Sequence, residues 1–195
     1  MGQGMGDAAA DIMSATYRAL CEYGYADLTM QRIADESGRS KAALHYHYDT
    51  KEDLLDAFLD HVLDQFEARL ACESADPDER LETFLAAVFD PPDDAGAFPV
   101  ALLEIKAQAP YHDVYRERLR EMDDRMRGIV ASAVEDGVAA GTFDDCDPVE
   151  VARFVVTIIN GAHARDVALG ESPAEGRRLV ERYLDRTLGR QEVST

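Results

Sequence analysis

The amino-acid sequence predicts an all-α protein. Apolar residues recur at three- and four-residue spacing along almost the whole chain, and no alternating, strand-like run is longer than a few residues. Four segments also carry the signature of a helix start, in which a Ser, Thr or Asp precedes an acidic residue by three positions. These observations predict about nine helices, over residues 8–24, 29–36, 40–47, 51–73, 77–89, 98–108, 111–140, 147–169 and 173–188.

Local signals justify the first four helices. An apolar stripe follows one side of the first, through Ile12, Ala15, Ala19, Leu20 and Tyr23. Thr29 can cap the second helix and Ser40 the third, and Gly38 in the turn between them can take a positive φ. The inward side of the third helix is expected to carry Ala43, Leu44 and either His47 or Tyr48. Thr50 opens the fourth helix, which is long enough to belong to two domains.

The later helices begin at equally clear signals. Asp76, Asp147 and Ser172 each place a capping oxygen before a Pro and a Glu. Helix 147–169 differs from the others because apolar residues surround most of it: Val151, Phe154, Val155, Val156, Ile158, Ile159 and Ala162. Such a helix must be buried on several sides. In a chain of this size, a subunit interface could cover one of those sides.

The charge balance is strongly acidic. Thirty-nine acidic and 20 basic residues give a net charge of −19, and the only lysines are Lys41, Lys51 and Lys106. This balance normally argues against a nucleic-acid partner, because phosphate contacts need Lys and Arg. It also fits the salt-rich cytoplasm of a halophilic organism, where hydrated carboxylates keep proteins dissolved. No apolar run approaches the ~18 residues of a membrane span, and residues 1–10 lack the apolar segment of a signal peptide. We expect a cytoplasmic protein without a membrane partner.

One short stretch departs from this acidic background. Residues 37–47 contain no acid, and their basic side chains are Arg39, Lys41, His45 and His47. A polyanion could approach the protein here. Two short helices joined by a Gly-containing turn of three to four residues are the pattern of a helix-turn-helix, whose second helix presents its N-terminal residues to the major groove.

Residues 28–59, LTMQRIADESGRSKAALHYHYDTKEDLLDAFL, resemble the N-terminal module of the TetR family of transcriptional regulators. That family's pattern is T-x-x-x-I-A-x-x-A-G-V-S-x-G-T-L-Y-x-H/Y-F-x-S/T-K-E-x-L. The chain matches it at Thr29, Ile33, Ala34, Gly38, Ser40, Leu44, His47, Lys51, Glu52 and Leu54. Residues 19–26 resemble the family's A-x-x-L-F-x-x-x-G-Y/F stretch, and residues 135–141 resemble a common turn before its eighth helix.

The resemblance implies a DNA-binding domain over residues 8–68, with the helix-turn-helix at about 29–48, and an effector-binding and dimerisation domain over residues 69–195. It implies a homodimeric repressor that a small apolar or amphipathic effector releases from a palindromic double-stranded DNA operator. The alternative is an acidic helical effector-binding or scaffold protein whose helix-turn-helix no longer binds DNA. That alternative is favoured by the net charge and by three departures from the family pattern, at Ala42, Ala43 and His45.

Position in the motif gives each candidate DNA-binding residue a role. Lys41 begins the recognition helix and is the candidate for a base contact, with guanine as the fitting base. Arg39, where the family has Val, could reach a base or a phosphate. Thr29 and Lys51 are expected to hold phosphates. The complete predicted set is Thr29, Arg39, Ser40, Lys41, His45, Tyr46, His47 and Lys51.

The C-terminal part carries two further candidate sets. Aromatic rings with polar tips and flexible methionines suit an effector pocket, here assigned to Phe89, Leu102, Tyr111, Tyr115, Met122, Met126, Phe154, Ile158 and His163. Arg165 is a second polar candidate for orienting the effector. The dimer interface is expected on the last two helices, at Val155, Ile159, Ala162, Val180, Tyr183 and Leu184.

The sequence carries no recognisable set of metal-ligating or catalytic residues. His45 and His47 are two positions apart and point to different helix faces, so they do not form a metal site. Cys21, Cys72 and Cys146 lack metal-ligand spacing and are expected to be reduced thiols. There is no Gly-rich phosphate loop and no catalytic serine or zinc motif. We therefore expect neither an enzyme nor a cofactor.

Overall fold

A computed structural model describes residues 3–70, 74–90 and 98–190. Within these ranges the backbone forms nine α-helices and no strand, which confirms the predicted fold class. The helices are α1 (Gln3–Asp27), α2 (Met30–Ser37), α3 (Lys41–His45), α4 (Lys51–Leu70), α5 (Pro77–Phe89), α6 (Phe98–Gln108), α7 (Asp113–Ala139), α8 (Pro148–Leu169) and α9 (Pro173–Leu188). The last residues predicted for the fourth helix, 71–73, lie outside the described part of the chain, and so does Cys72.

The helix starts marked in the sequence are capped by the predicted side chains. Asp76, Asp147 and Ser172 each accept a hydrogen bond from the backbone N–H two residues later, at 2.9, 2.9 and 3.4 Å. Thr50 and Asp53 cap α4 reciprocally, because the Thr50 hydroxyl accepts from the Asp53 N–H and the Asp53 carboxylate accepts from the Thr50 N–H, both at 3.0 Å. Local capping chemistry therefore fixes where these helices begin.

The first of two compact units contains the described residues 3–65 and 98–119. Its core joins α1 to α4 with α6 and the start of α7, through the buried Ala101, Ile105 and Tyr115. The domain boundary expected after residue 68 therefore omits one segment. Residues 98–119 pack with the N-terminal helices because their apolar side chains complete that core.

Helix α1 breaks near its end. Gly24 adopts φ 68° and ψ 171°, outside the helical region, and so releases the next backbone N–H from the helical ladder. The Tyr25 N–H donates instead to the carboxylate of Glu104 on α6. A Cβ at position 24 would lie 2.9 Å from that carboxylate. Glycine is therefore required here both for its φ and for the close approach of Glu104.

The second unit contains the described residues 66–70, 74–90 and 120–190, and its core is built from α5, α7, α8 and α9. Arg177 on α9 is paired with three acids, since its guanidinium binds Glu82, Asp90 and Glu181. No described helix is both long and apolar enough to cross a membrane.

Two further arginines each hold a pair of acids, one arginine in each unit. Arg118 lies 2.8 Å from Asp56 and 3.1 Å from Asp60 in the first unit. Arg127 binds Asp123 at 2.8 Å and Asp124 at 2.5 Å in the second. The guanidinium fork can serve two carboxylates at once, which an ammonium point charge does less well.

Candidate nucleic-acid interface

Helix α2 and the turn after it have the expected geometry. The Thr29 hydroxyl accepts from the Arg32 N–H at 3.2 Å and caps the helix, whose inward side buries Met30, Ile33 and Ala34. Gly38 takes φ 65°, in the left-handed region, as predicted. The chain can therefore reverse direction within a few residues and begin the next helix.

Helix α3 is short and is anchored by one side chain. Ser40 caps it by accepting from the Ala43 N–H at 3.1 Å, and Leu44 is fully buried beneath it. Its first residue, Lys41, is exposed. The helix ends at His45, two residues earlier than predicted, because the chain turns once Leu44 is seated in the core.

Three aromatic residues follow α3 and divide between solvent and core. Tyr46 is 84% exposed and meets the exposed His47 ring edge-on, with centroids 5.1 Å apart. Tyr48 is half-buried and packs against the first core. Of the two alternatives for the inward position, the structure therefore selects Tyr48, and His47 stands with Tyr46 on the outer surface.

Two of the predicted cations are held by other parts of the first unit. The Arg39 guanidinium forms an ion pair with Asp11 of α1 at 2.9 Å. The Lys51 ammonium lies 4.4 Å from the centroid of the Tyr25 ring and donates to the Tyr25 carbonyl oxygen at 3.4 Å. Asp11 and Tyr25 were not among the predicted site residues. The Gly24-Tyr25 pair of the resemblance was a signal for Tyr25, whereas no local pattern connects Asp11 with a residue 28 positions away.

Exposed carboxylates border the basic stretch on both sides. Asp35, Asp49 and Glu52 are exposed, and so is Asp53, which is already engaged in capping α4. The basic surface offered by Arg39, Lys41 and the ring nitrogens of His45 and His47 is consequently small. A polyanion that binds this basic surface must also approach the carboxylates at the edges of the surface.

The residues assigned to an effector pocket do not form one group. Leu102 and Tyr115 pack into the core of the first unit, and Tyr111 is 81% exposed. Phe89 and Met126 are buried in the second core, with Met122 and Ile158 at its edge. His163 lies in the second unit too, where its Nε2 is 3.2 Å from the Val88 carbonyl oxygen. The residues predicted to line an effector pocket are thus divided between the two cores.

The expected dimer residues also need correction. Val155, Ile159, Val180 and Leu184 are at most 1% exposed because they fill the core of their own chain. Apolar character around most of α8 did not reveal which side faces α5, α7 and α9. The apolar side chains of α8 and α9 that do reach solvent include Phe154, which is 39% exposed and stacks on Tyr183 at 3.9 Å, and Leu179, which is 49% exposed.

The environment of Cys146 does not favour a reactive thiolate. Burial raises the pKa of the Cys146 thiol, and the neighbouring carboxylates of Asp145, Asp147 and Asp144 raise it further. A thiol is reactive when its pKa is lowered by positive surroundings. Cys146 therefore behaves as a small partly buried side chain.

Comparison with known proteins matches both parts of the chain to regulators. Residues 12–58 match the profile of the bacterial regulatory proteins of the tetR family, and residues 77–189 match the C-terminal domain of BetI-type transcriptional repressors. A crystal structure of a TetR transcription regulator from Haloarcula marismortui ATCC 43049 is 43% identical, with a TM-score of 0.90, and covers 94% of this chain and 99% of that one.

Two more distant relatives extend the comparison. The HTH-type transcriptional regulator BetI of Brucella abortus (strain 2308) is 25% identical over 179 residues, which are 89% of this chain and 88% of that protein. A structure from Saccharomonospora viridis in complex with choline shares the fold at 22% identity, with a TM-score of 0.83 and coverage of 94% and 98%. A helix-turn-helix module followed by a repressor-type helical domain, each matched in its place, shows that the chain belongs to the TetR family of DNA-binding transcriptional regulators.

Proposed function

We propose that the protein is a homodimeric repressor that reads its operator through Lys41. The observation that carries this proposal is the seating of α3. Ser40 caps the helix and Leu44 anchors it in the core, so Lys41 stands exposed at the N-terminal end of a fixed helix. A recognition helix contacts base edges with its N-terminal residues, and a lysine there fits the acceptors of guanine.

The other candidate residues fit contacts to the DNA backbone. The Thr29 hydroxyl is exposed and can donate to a phosphate while its oxygen caps α2. Tyr46 and His47 stand outward just after α3, within the same surface. Lys51 supplies a cation at the first turn of α4. Arg39 is available once a phosphate or a base replaces Asp11 as its partner.

We place the dimer interface on the exposed apolar side of α8 and α9. Phe154, with its partner ring Tyr183, and Leu179 would lose contact with water when two copies meet. Membership of the TetR family and the exposure of these large apolar side chains support this assignment. Two recognition helices would then meet successive major grooves of a palindromic site.

The effector we propose is a small organic cation of the quaternary ammonium class. The choline bound to the Saccharomonospora viridis relative supports that class. In this chain the Phe89 and His163 rings lie 6.0 Å apart in the second unit. An aromatic face is the ordinary protein partner of a quaternary ammonium.

Calorimetry with choline and with its uncharged isostere 3,3-dimethyl-1-butanol tests the effector class. Choline alone should bind, because the two molecules differ in charge and hardly in shape. Phe89→Leu should weaken choline binding, whereas Phe84→Leu, a matched change of another buried ring in the same core, should leave it nearly unchanged. Equal binding of the two ligands would exclude a cation site.

A gel-shift with the DNA upstream of the protein's own gene, in molar potassium chloride, tests the central proposal. The high salt follows from a further proposal, that the protein works in a salt-rich cytoplasm, which its net charge of −19 and its Haloarcula relative support. A specific shift that Lys41→Ala abolishes supports operator recognition. Binding of effector without any DNA shift would favour the alternative, an acidic effector-binding or scaffold protein.

A further inference from the structure

Lys51 takes its position from another helix rather than from its own. Its ammonium rests against the Tyr25 ring at 4.4 Å and donates to the Tyr25 carbonyl oxygen at 3.4 Å. A lysine side chain has four rotatable bonds and a compact charge, so without such partners it samples many positions. Ring and carbonyl both belong to Tyr25, and this one residue therefore locates the ammonium.

Tyr25 is in turn held by the helices that follow the DNA-binding segment. Its N–H donates to Glu104 of α6, and its hydroxyl lies 3.5 Å from Nε2 of His112, one residue before α7. Its ring meets the buried Tyr115 ring of α7 edge-on, with centroids 6.4 Å apart. A movement of α6 or of the start of α7 would shift both the backbone and the ring of Tyr25.

The break at Gly24 lets Tyr25 respond to those helices. Because Gly24 is not helical, the Tyr25 N–H is bonded to Glu104 and not to a carbonyl of α1. The Tyr25 backbone is thus bonded directly to α6. Helix α7 continues to residue 139, and from residue 120 onward it belongs to the unit that contains the proposed effector site.

We propose that Tyr25 is a positioning residue for Lys51 and makes the grip of Lys51 on DNA phosphate depend on the placement of α6 and α7. This inference rests on the proposed phosphate contact of Lys51. It assigns to Tyr25 no contact with DNA. Effector binding that displaces α7 would then loosen or withdraw one phosphate contact in each subunit.

The three lysines of the chain allow a direct test of the positioning. Reductive ¹³C-dimethylation keeps the lysine charge and labels Lys41, Lys51 and Lys106, and Lys51→Arg assigns the Lys51 signal in the NMR spectrum. We expect that signal to be displaced upfield by the Tyr25 ring, and Tyr25→Leu to return it to the position of the exposed Lys41. A Lys51 signal at the exposed position in the unsubstituted protein would overturn the proposal.

Further variants test whether the position of Lys51 depends on α6 and α7. Glu104→Ala should move the Lys51 signal toward the exposed position, whereas Glu104→Gln, which keeps an acceptor for the Tyr25 N–H, should preserve it. Tyr25→Phe removes only the hydroxyl near His112 and provides a second, milder variant should Glu104→Ala fail to fold. Glu117→Ala removes an exposed carboxylate of α7 and is the matched control. A Lys51 signal indifferent to both Glu104→Ala and Tyr25→Phe contradicts the dependence on α6 and α7.

A double-mutant cycle connects the positioning to DNA. Glu104→Ala should weaken binding to the upstream DNA about three- to tenfold in the unsubstituted protein, and less than about twofold when Lys51→Ala is also present. Equal losses in the two backgrounds would show that Glu104 does not act through Lys51. If the unsubstituted protein binds no DNA, the proposed function has failed, and the NMR experiment still decides whether Tyr25 positions Lys51.

Discussion

The helix-turn-helix and the pair α8–α9 place their apolar side chains by different rules. In residues 29–48 a few buried side chains, such as Leu44, anchor short helices whose ends are set by Thr29, Gly38 and Ser40. The longer helices α8 and α9 meet several neighbours at once through their buried sides, and caps only fix their ends. Capping chemistry therefore locates a helix along the chain, whereas the packing partners decide which side of it is inside.

The largest expected effect is the difference between substitutions on the buried and on the exposed sides of α8 and α9. Ile159→Asp should unfold the second unit, because a carboxylate at a position 1% exposed has no partner, at a cost above about 4 kcal/mol. Leu179→Asp, on the exposed side, should leave the fold intact and give a monomer. Circular dichroism melts and sedimentation measure both. If Ile159→Asp instead gave a folded monomer, the dimer interface would lie on the side of α8 that contains Ile159, as the sequence predicted.

The two lysines of the candidate DNA-binding surface, Lys41 and Lys51, should contribute to operator binding in different ways. Lys41→Ala is expected to cost about 1–3 kcal/mol per half-site and to relax the preference at one or two base pairs. Lys51→Ala should weaken all sequences about equally, because a phosphate contact carries no base information. Binding to a panel of single-base operator variants measures the preference. Unchanged preference in Lys41→Ala would remove its base-reading role.

A smaller effect concerns how operator affinity changes with salt concentration. The carboxylates of Asp49 and Glu52 border the basic stretch, so operator affinity should be flat or rise between about 0.2 and 2 M potassium chloride, the reverse of ordinary counterion release. Replacing both residues with Lys should restore part of the ordinary decline. Glu135→Lys, at an exposed position of α7, is the control for added charge alone. A steep decline in the unsubstituted protein would contradict this mechanism.

The smallest expected effect tests the capping side of the comparison. Ser40→Ala and Ser172→Ala each remove one cap, at a cost of about 1 kcal/mol. In α3, of five residues, the loss should also reduce operator affinity, since Lys41 stands on the first turn. In α9, of 16 residues, only the melting temperature should fall. Unchanged operator affinity in Ser40→Ala would argue that α3 is held by Leu44 alone.

Most of the fold was accessible from the sequence because its signals are local. Helices α5, α6 and α9 begin and end where predicted, and Gly38 has the expected left-handed φ. The partners of Arg39 and Lys51 were not accessible, because Asp11 and Tyr25 are brought to them only by the folding of distant segments. The placement of residues 98–119 in the first unit was missed for the same reason.

The forked pairing of arginines has a consequence for how this chain could become so acidic. Three guanidiniums, those of Arg118, Arg127 and Arg177, hold seven carboxylates between them. A surface organised in this way can gain acids one substitution at a time, since each newcomer finds a donor already in place. A lysine holds two acids less well, because its charge is compact and its side chain is flexible. The scarcity of lysine among the 20 basic residues therefore fits a surface on which arginine forks hold the carboxylates.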